Sequence, residues 1–210
     1  MAFRYFENAL HFLDSDAWGS SYHFTLNLYL QAASAANQCN NKERFEELIS
    51  IADQHANQII DKLKFADLKI QNAISDNNHR RVIEIGLSAV KHININIKSN
   101  PSQLDVLYGF NITNWRIRRF KNEEILKLPL LDNEELIIAM GIMHRVSYAA
   151  YFIRPNLVPV IMFELIKIGI HRCHLYVESD NQEGIKFWNK LGWEKRVEII
   201  SMSQPLRFNG

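Results

Sequence analysis

Two stretches of this chain repeat one another at an offset of 37 residues. Asn40-Asn41 falls on Asn77-Asn78, Arg44 on Arg81, Ala52 on Ala89 and His55 on His92. On either side of each asparagine pair, apolar residues recur every three or four positions, the spacing of a helix with one buried face. Phe24, Leu28, Ala32 and Ala35 or Ala36 form the first such stripe, and Cys39-Asn40-Asn41-Lys42 is a polar break. Phe45, Leu48, Ile49 and Ala52 form a second, ending near Asn57. Leu63, Ala66, Ile70 and Ala73 form a third, followed by the break Ser75-Asp76-Asn77-Asn78. Val82, Ile85, Leu87, Ala89 and Val90 form a fourth, ending near Asn94. Tyr22 to about Asn94 therefore reads as two helical hairpins, each with an apolar face that only a neighbour can cover.

A helix-turn-helix unit of this period is the mark of a tetratricopeptide-like solenoid, in which hairpins stack to make one continuous core. The scarcity of Gly (8) and Pro (5) in 210 residues agrees with a mainly helical chain. Asn100-Pro101 stops the fourth helix, because proline restricts the residue before it. Helical periodicity resumes through Leu104, Leu107 and Trp115, and Arg116, Arg118, Arg119 and Lys121 follow as a solvated basic face. Leu126 to Leu131, around Pro129, reads as a loop. Asp132 or Asn133 looks like an N-cap, with Glu134 and Glu135 in the first turn, where the helix dipole favours acids. That helix is expected to run to about Phe152, where Pro155 ends it. Asn156 is expected to cap another helix, with Pro159 in its first turn, that continues to about Ile168. After Gly169 the pattern changes. His174 to Glu178 alternates as a strand, Gln182 to Leu191 is helical, and Glu194 to Met202 alternates again. The expected fold is mainly α, an antiparallel helical-hairpin solenoid over residues 1–165 with a small C-terminal strand-helix-strand unit over 166–210.

A formal net charge of +1 removes the chain-wide electrostatic argument for nucleic acid or an anionic surface. The two cysteines, Cys39 and Cys173, form no CxxC pair, so neither a disulfide framework nor a cysteine zinc site is expected, and a reducing cytoplasm fits. Glu7, Asn8, His11 and Asp14 interrupt the N-terminus, so no export signal is read there. Val146 to Ile170, the most apolar stretch, carries Arg154, Asn156, Glu164 and Lys167, which are expensive in hydrocarbon. It reads as core helix and no membrane span is expected.

Two family resemblances follow. Over about residues 9–170, Asp16-Ala-Trp18, Tyr22 and Leu26 to Ala33 resemble the helical region of large bacterial, cyanobacterial-type, sensor kinases that join an AAA-type ATPase module to Ser/Thr or histidine kinase domains. Ala52-Asp-Gln-His55-Ala, Asp61-Lys62, Ile83 to Leu87, Leu128-Pro129 and Ala149-Ala-Tyr-Phe152 through Pro159 share that resemblance. It implies a tetratricopeptide-like region that relays or scaffolds signals without catalysis, with protein partners or adjacent kinase and ATPase domains. Over about 163–206, Leu165 to Arg172, Leu175 to Asn181 and Phe187 to Trp193 resemble the C-terminal half of a GNAT-type N-acetyltransferase, so that 166–210 would be a partial acetyltransferase-like βαβ segment. That resemblance implies acetyl-CoA as cofactor, Asn181 as a residue contacting CoA, and Trp188 in the place of the tyrosine that protonates the departing thiolate. Trp has no dissociable phenol and offers only an indole donor. The family's pyrophosphate cradle needs a glycine followed two residues later by Gly or Ala, and no glycine in this chain has one. A junction is therefore inferred between about Pro159 and Arg172.

Other chemistry is sparse. There is no GxxxxGK[ST] phosphate loop and no kinase Gly-rich loop, HRD or DFG. His171, Cys173 and His174 would point to opposite sides of a strand, and no metal site is expected of them. His55 and His92 are expected to be helix residues rather than bases or ligands, and Trp18, Trp115, Trp188 and Trp193 to be packing anchors. The expected role is a non-catalytic helical-repeat signalling or scaffold segment that binds protein partners, needs no cofactor and contacts no nucleic acid. The alternative is a GNAT-like acetyl-CoA-dependent N-acetyltransferase, incomplete and inactive for want of the cradle.

Overall fold

The computed structural model describes residues 2–117, 132–167 and 180–190, with the side chains of residues 116, 117, 187 and 188 outside that description. The chain divides into two compact units, Met1–His171 and Arg172–Gly210. Among the described residues the structure is mainly helical and contains no strand. The strands expected at His174 to Glu178 and Glu194 to Met202 lie outside the described residues, as do the loop at 126–131, the His171–His174 cluster and the basic side chains from Arg116 to Lys121.

In the first unit the helices are α1 (Ala2–His11), α2 (Ala17–Ser20), α3 (Tyr22–Gln38), α4 (Lys42–His55), α5 (Ile59–Ser75), α6 (His79–Lys91), α7 (Gln103–Ile117), α8 (Glu134–Ile153) and α9 (Leu157–Lys167). α3 pairs with α4 and α5 with α6, as the repeat predicts. Both hairpins are closed by the same turn. Asn40 and Asn77 take the left-handed conformation at φ 56° and 53°. The following residue reaches back to close a six-residue ring, Asn41 N–H to Ala36 O at 2.9 Å and Asn78 N–H to Ala73 O at 2.8 Å. This is the Schellman helix ending, built on asparagine because a short polar side chain is the main alternative to glycine at that φ. Asn41 and Asn78 then change roles and cap the next helix. Their Oδ1 atoms accept the N–H of Arg44 and Arg81 at 3.2 and 3.1 Å. Asn94, at φ 62°, ends α6 in the same way, with Ile95 N–H bonded to Val90 O at 3.1 Å.

Two clusters of buried side chains result. One joins α3 and α4 through Leu26, Ala33, Ala36, Phe45, Leu48, Ile49 and Ala52, with Phe65 and Leu68 of α5. The other joins α5, α6, α8 and α9 through Ile70, Val82, Leu87, Ile142, Val146, Ala150, Leu157 and Ile161, among others. α5 is the wall between them, since Leu63, Ala66, Ile70 and Ala73 belong to the second cluster. Small residues set the closeness of approach. A Cβ on Gly86 of α6 would lie 2.2 Å from Val146 Cγ2 of α8, and one on Gly109 of α7 would lie 2.6 Å from the Phe163 ring of α9.

Three expectations are corrected in detail. Phe24 is 66% exposed, and Thr25 and Leu26 take its place inside. Thr25 is buried with its hydroxyl donating to Ala17 O at 3.0 Å, which ties the start of α3 to α2. Leu104, Leu107 and Trp115 do lie on a helix, yet all three are exposed, and Gly109 and the buried Thr113 lie on the inner face. Asn133 caps α8, its Oδ1 accepting Leu136 N–H at 2.9 Å. Asn156 instead donates its amide to Pro101 O at 3.4 Å. α1 and α2 were not expected from the periodicity. At the start of α7, Ser102 and Asp105 cap one another, with Lys98 2.8 Å from the carboxylate. The Lys98 ammonium first, and the Ser102 hydroxyl and N–H next, lower the Asp105 carboxyl to about 2.

In the second unit the described helix is α10 (Gln182–Lys190). Asn181 caps it, Oδ1 accepting the Gly184 N–H at 2.8 Å.

Candidate functional site

The helix ends of the first unit form two polar-aromatic clusters. One lies where α2 leads into α3 and α4 into α5. The Trp18 ring stacks on His55, with centroids 4.4 Å apart and planes 5° from parallel, and also touches Tyr29 at 5.1 Å and Tyr22 at 6.1 Å. His55 Nδ1 lies 2.9 Å from Ile51 O, and because a carbonyl can only accept, that nitrogen carries the proton. Tyr22 donates its hydroxyl to Asp61 Oδ2 at 2.6 Å and accepts the Asn57 N–H at 3.3 Å. Asp61 is 2% exposed, so this hydrogen bond is what makes its burial tolerable. Burial first, and the bond to Asp61 second, push the Tyr22 phenol above its ordinary range. The cluster fastens the start of α3 to the start of α5, and the structure brings Trp18, Tyr22, His55 and Asp61 together as packing and hydrogen-bonding residues. His92, which matches His55 in the repeat, stands exposed just beyond α6.

The second cluster lies along the turns that close the hairpins. Lys42, beside the first turn, is ion-paired with Asp76 of the second. Arg81 on α6 reaches Glu46 on α4 at 2.9 Å, and Arg44 on α4 reaches Glu7 on α1 at 3.0 Å. Beyond Asp76 an open cleft of about 500 Å³ is lined by Asn77, Asn78, His79 and Arg80 on one side and by Ile153 and Arg154 on the other. The α5–α6 turn and the end of α8 thus share one edge. Arg154 donates to Ser99 O at 3.1 Å.

Aromatic rings form the rim. His79 stacks on Phe152 with centroids 5.0 Å apart, and Tyr148 and Tyr151 meet Phe152 edge-on at 5.2 and 5.4 Å. Tyr148 is 56% exposed, Tyr151 60%, Phe152 53% and Ile153 44%. His79 Nδ1 is buried beneath this rim without a hydrogen-bond partner among the described residues. These residues form an exposed apolar group beside Arg80 and Arg154. Reading the chain for periodicity missed it, although a signal was present. Ala149 and Ala150 are wholly buried while Tyr148, Tyr151 and Phe152 surround them, so the small residues mark the pressed face and the aromatics the open one.

Of the residues proposed for acetyl transfer, Asn181 is half-buried and already uses its side-chain oxygen to cap α10. The Trp188 side chain lies outside the described residues. Among the described residues no group of three or more His, Cys, Asp or Glu is placed to hold a metal ion. No protein-family model matches the chain, and no curated protein or solved structure does either.

Proposed function

We propose that this chain is a non-catalytic scaffold of stacked helical hairpins in the tetratricopeptide style, presenting its surface to other domains or protein partners in bacterial signalling of the ATPase-linked sensor-kinase type. The observation that carries the reading is the turn used twice. The same asparagine-based helix ending followed by the same asparagine cap, 37 residues apart, is what a duplicated structural unit leaves behind. The placement of α8 supports it, because α8 lies along both α5 and α6 as the first helix of a further unit does in a solenoid.

α8 is long and apolar enough to cross a bilayer. We read it as a core helix in a cytoplasmic protein, since Lys64 of α5 pairs with its Glu134 at 3.0 Å and Asp67 lies 2.8 Å from its Arg145. The alternative, an acetyl-CoA-dependent acyltransferase, draws support from Asn181 at the start of α10 and has no residues to offer as a pyrophosphate cradle.

The test is a binary titration of the full chain against the ATPase module and the kinase domain of such a sensor kinase, with acetyl-CoA in a parallel calorimetric run. Saturable binding to one of the domains, with no heat from acetyl-CoA, is expected. Failure to bind either domain, or micromolar acetyl-CoA binding lost in Asn181→Ala, overturns the scaffold reading.

A further inference from the structure

Resting on the scaffold reading, we propose that the edge shared by the α5–α6 turn and the end of α8 docks an extended protein segment in which a carboxylate sits beside an aromatic or aliphatic side chain. The apolar half of this recognition is already built. Tyr148 and Tyr151 each meet Phe152 edge-to-face, and His79 stacks on the Phe152 ring, so the three aromatics form one exposed group. Each of the three aromatics keeps more than half of its surface open, and Ile153 extends the patch into the cleft.

Charge selects the other half. Arg80 and Arg154 line the cleft, and neither has a carboxylate partner among the described residues. The one carboxylate in the lining, Asp76, is neutralised by Lys42. Among the described residues the cleft therefore presents two guanidinium groups without a carboxylate partner next to exposed rings, and an Arg fork is matched by a carboxylate. A nucleic acid fits less well, since affinity for a phosphate backbone grows with the number of cations along it and, among the described residues, the cleft lining offers two.

A random-peptide display library panned on the full chain tests the inference. The expected result is enrichment of peptides with Asp or Glu next to Phe, Tyr, Leu or Ile. The leading synthetic peptide should bind with a stoichiometry of one, weaken as salt rises, and lose roughly tenfold in affinity in both Arg80→Glu and Tyr151→Ala. Both residues are exposed, so circular dichroism spectra should match the parent and keep the comparison fair. The proposal is overturned by no enrichment, by enrichment of basic peptides, by equal binding to the variants, or by displacement of the peptide by a single-stranded oligonucleotide. Self-association on sedimentation that both variants abolish would make a second copy the occupant and likewise overturn it. If the variants still bind the ATPase or kinase domain with unchanged affinity while the peptide result fails, the scaffold reading stands and this surface assignment alone falls.

Discussion

α4 and α6 occupy the same place in the repeat and begin after the same turn, but they meet their neighbours differently. On α6, Ile83, Leu87 and Val90 are buried beneath α8. The matching residues on α4 are Glu46, Ser50 and Asp53, and all three are exposed. They line an open groove of about 380 Å³ between α4 and α5, crossed by the Lys69–Asp53 ion pair at 2.9 Å. The position that is Gly86 on α6, where α8 presses close, is Ile49 on α4. α5 accordingly meets α3 and α4 at few points, whereas α8 lies along α5 and α6 for much of its length. The duplicated unit thus specifies the hairpin and its turn, and the seating of the next helix is specified separately by the outer face of the second helix.

If that division is right, the largest asymmetry will come from exchanging residues between the two outer faces. Leu87→Ser removes a side chain that is 5% exposed and leaves a hydroxyl in its cavity. It should lower stability by about 2–5 kcal/mol. Ser50→Leu at the matched position should change stability by less than about 0.5 kcal/mol, since that site is open. Urea unfolding followed by far-UV circular dichroism measures both, and equal effects would mean that the two outer faces are equivalent after all. Next in size is Gly86→Ala, whose new methyl must displace Val146. A loss of about 1–3 kcal/mol is expected. The second substitution Val146→Ala should recover part of it in a double-mutant cycle, because the two sites share one contact. Strict additivity would show that the tight approach of α6 and α8 is not what Gly86 provides.

The difference between the two junctions also explains how far the sequence could be read. The hairpins were legible because their signals are local: an asparagine pair, a stripe every three or four residues, and the Asn133 cap with acids behind it. The seating of α8 on α6 was not, since it depends on residues some sixty positions apart, and the glycine that permits it looks from the sequence like a weak helix residue. Phe24 was misjudged for the same reason. Its stripe fits a helix face, but the face that turns inward carries Thr25, bonded to α2, a helix that periodicity did not reveal. The aromatic rim left only a weak trace, small Ala149-Ala150 set among aromatics, and that trace acquires a meaning once the alanines have a partner and the other side of α8 becomes a surface. Asn181 was singled out through a resemblance alone, and the local geometry adds a capping role for its side chain.

The smallest prediction tests the part of the comparison that should not differ. Asn40 and Asn77 hold φ near +55° in turns whose hydrogen bonds correspond one for one. A β-branched residue is strained at that φ, because its Cβ crowds the carbonyl and its branched atoms leave no room to relax. Asn40→Val and Asn77→Val should therefore each lower stability by about 1–2 kcal/mol. Glycine at either site relieves the φ restriction while adding chain entropy to the unfolded state, so Asn40→Gly and Asn77→Gly should stay within about 1 kcal/mol of the parent. What matters is the equality of the pair: the surroundings differ, with Lys42 beside one turn and the His79 cleft beside the other, and the backbone requirement does not. Equal losses at the two sites would place the repeat in the turn itself, whereas a loss confined to Asn77 would mean that the well-seated second junction, and not the shared turn, holds the hairpins in register.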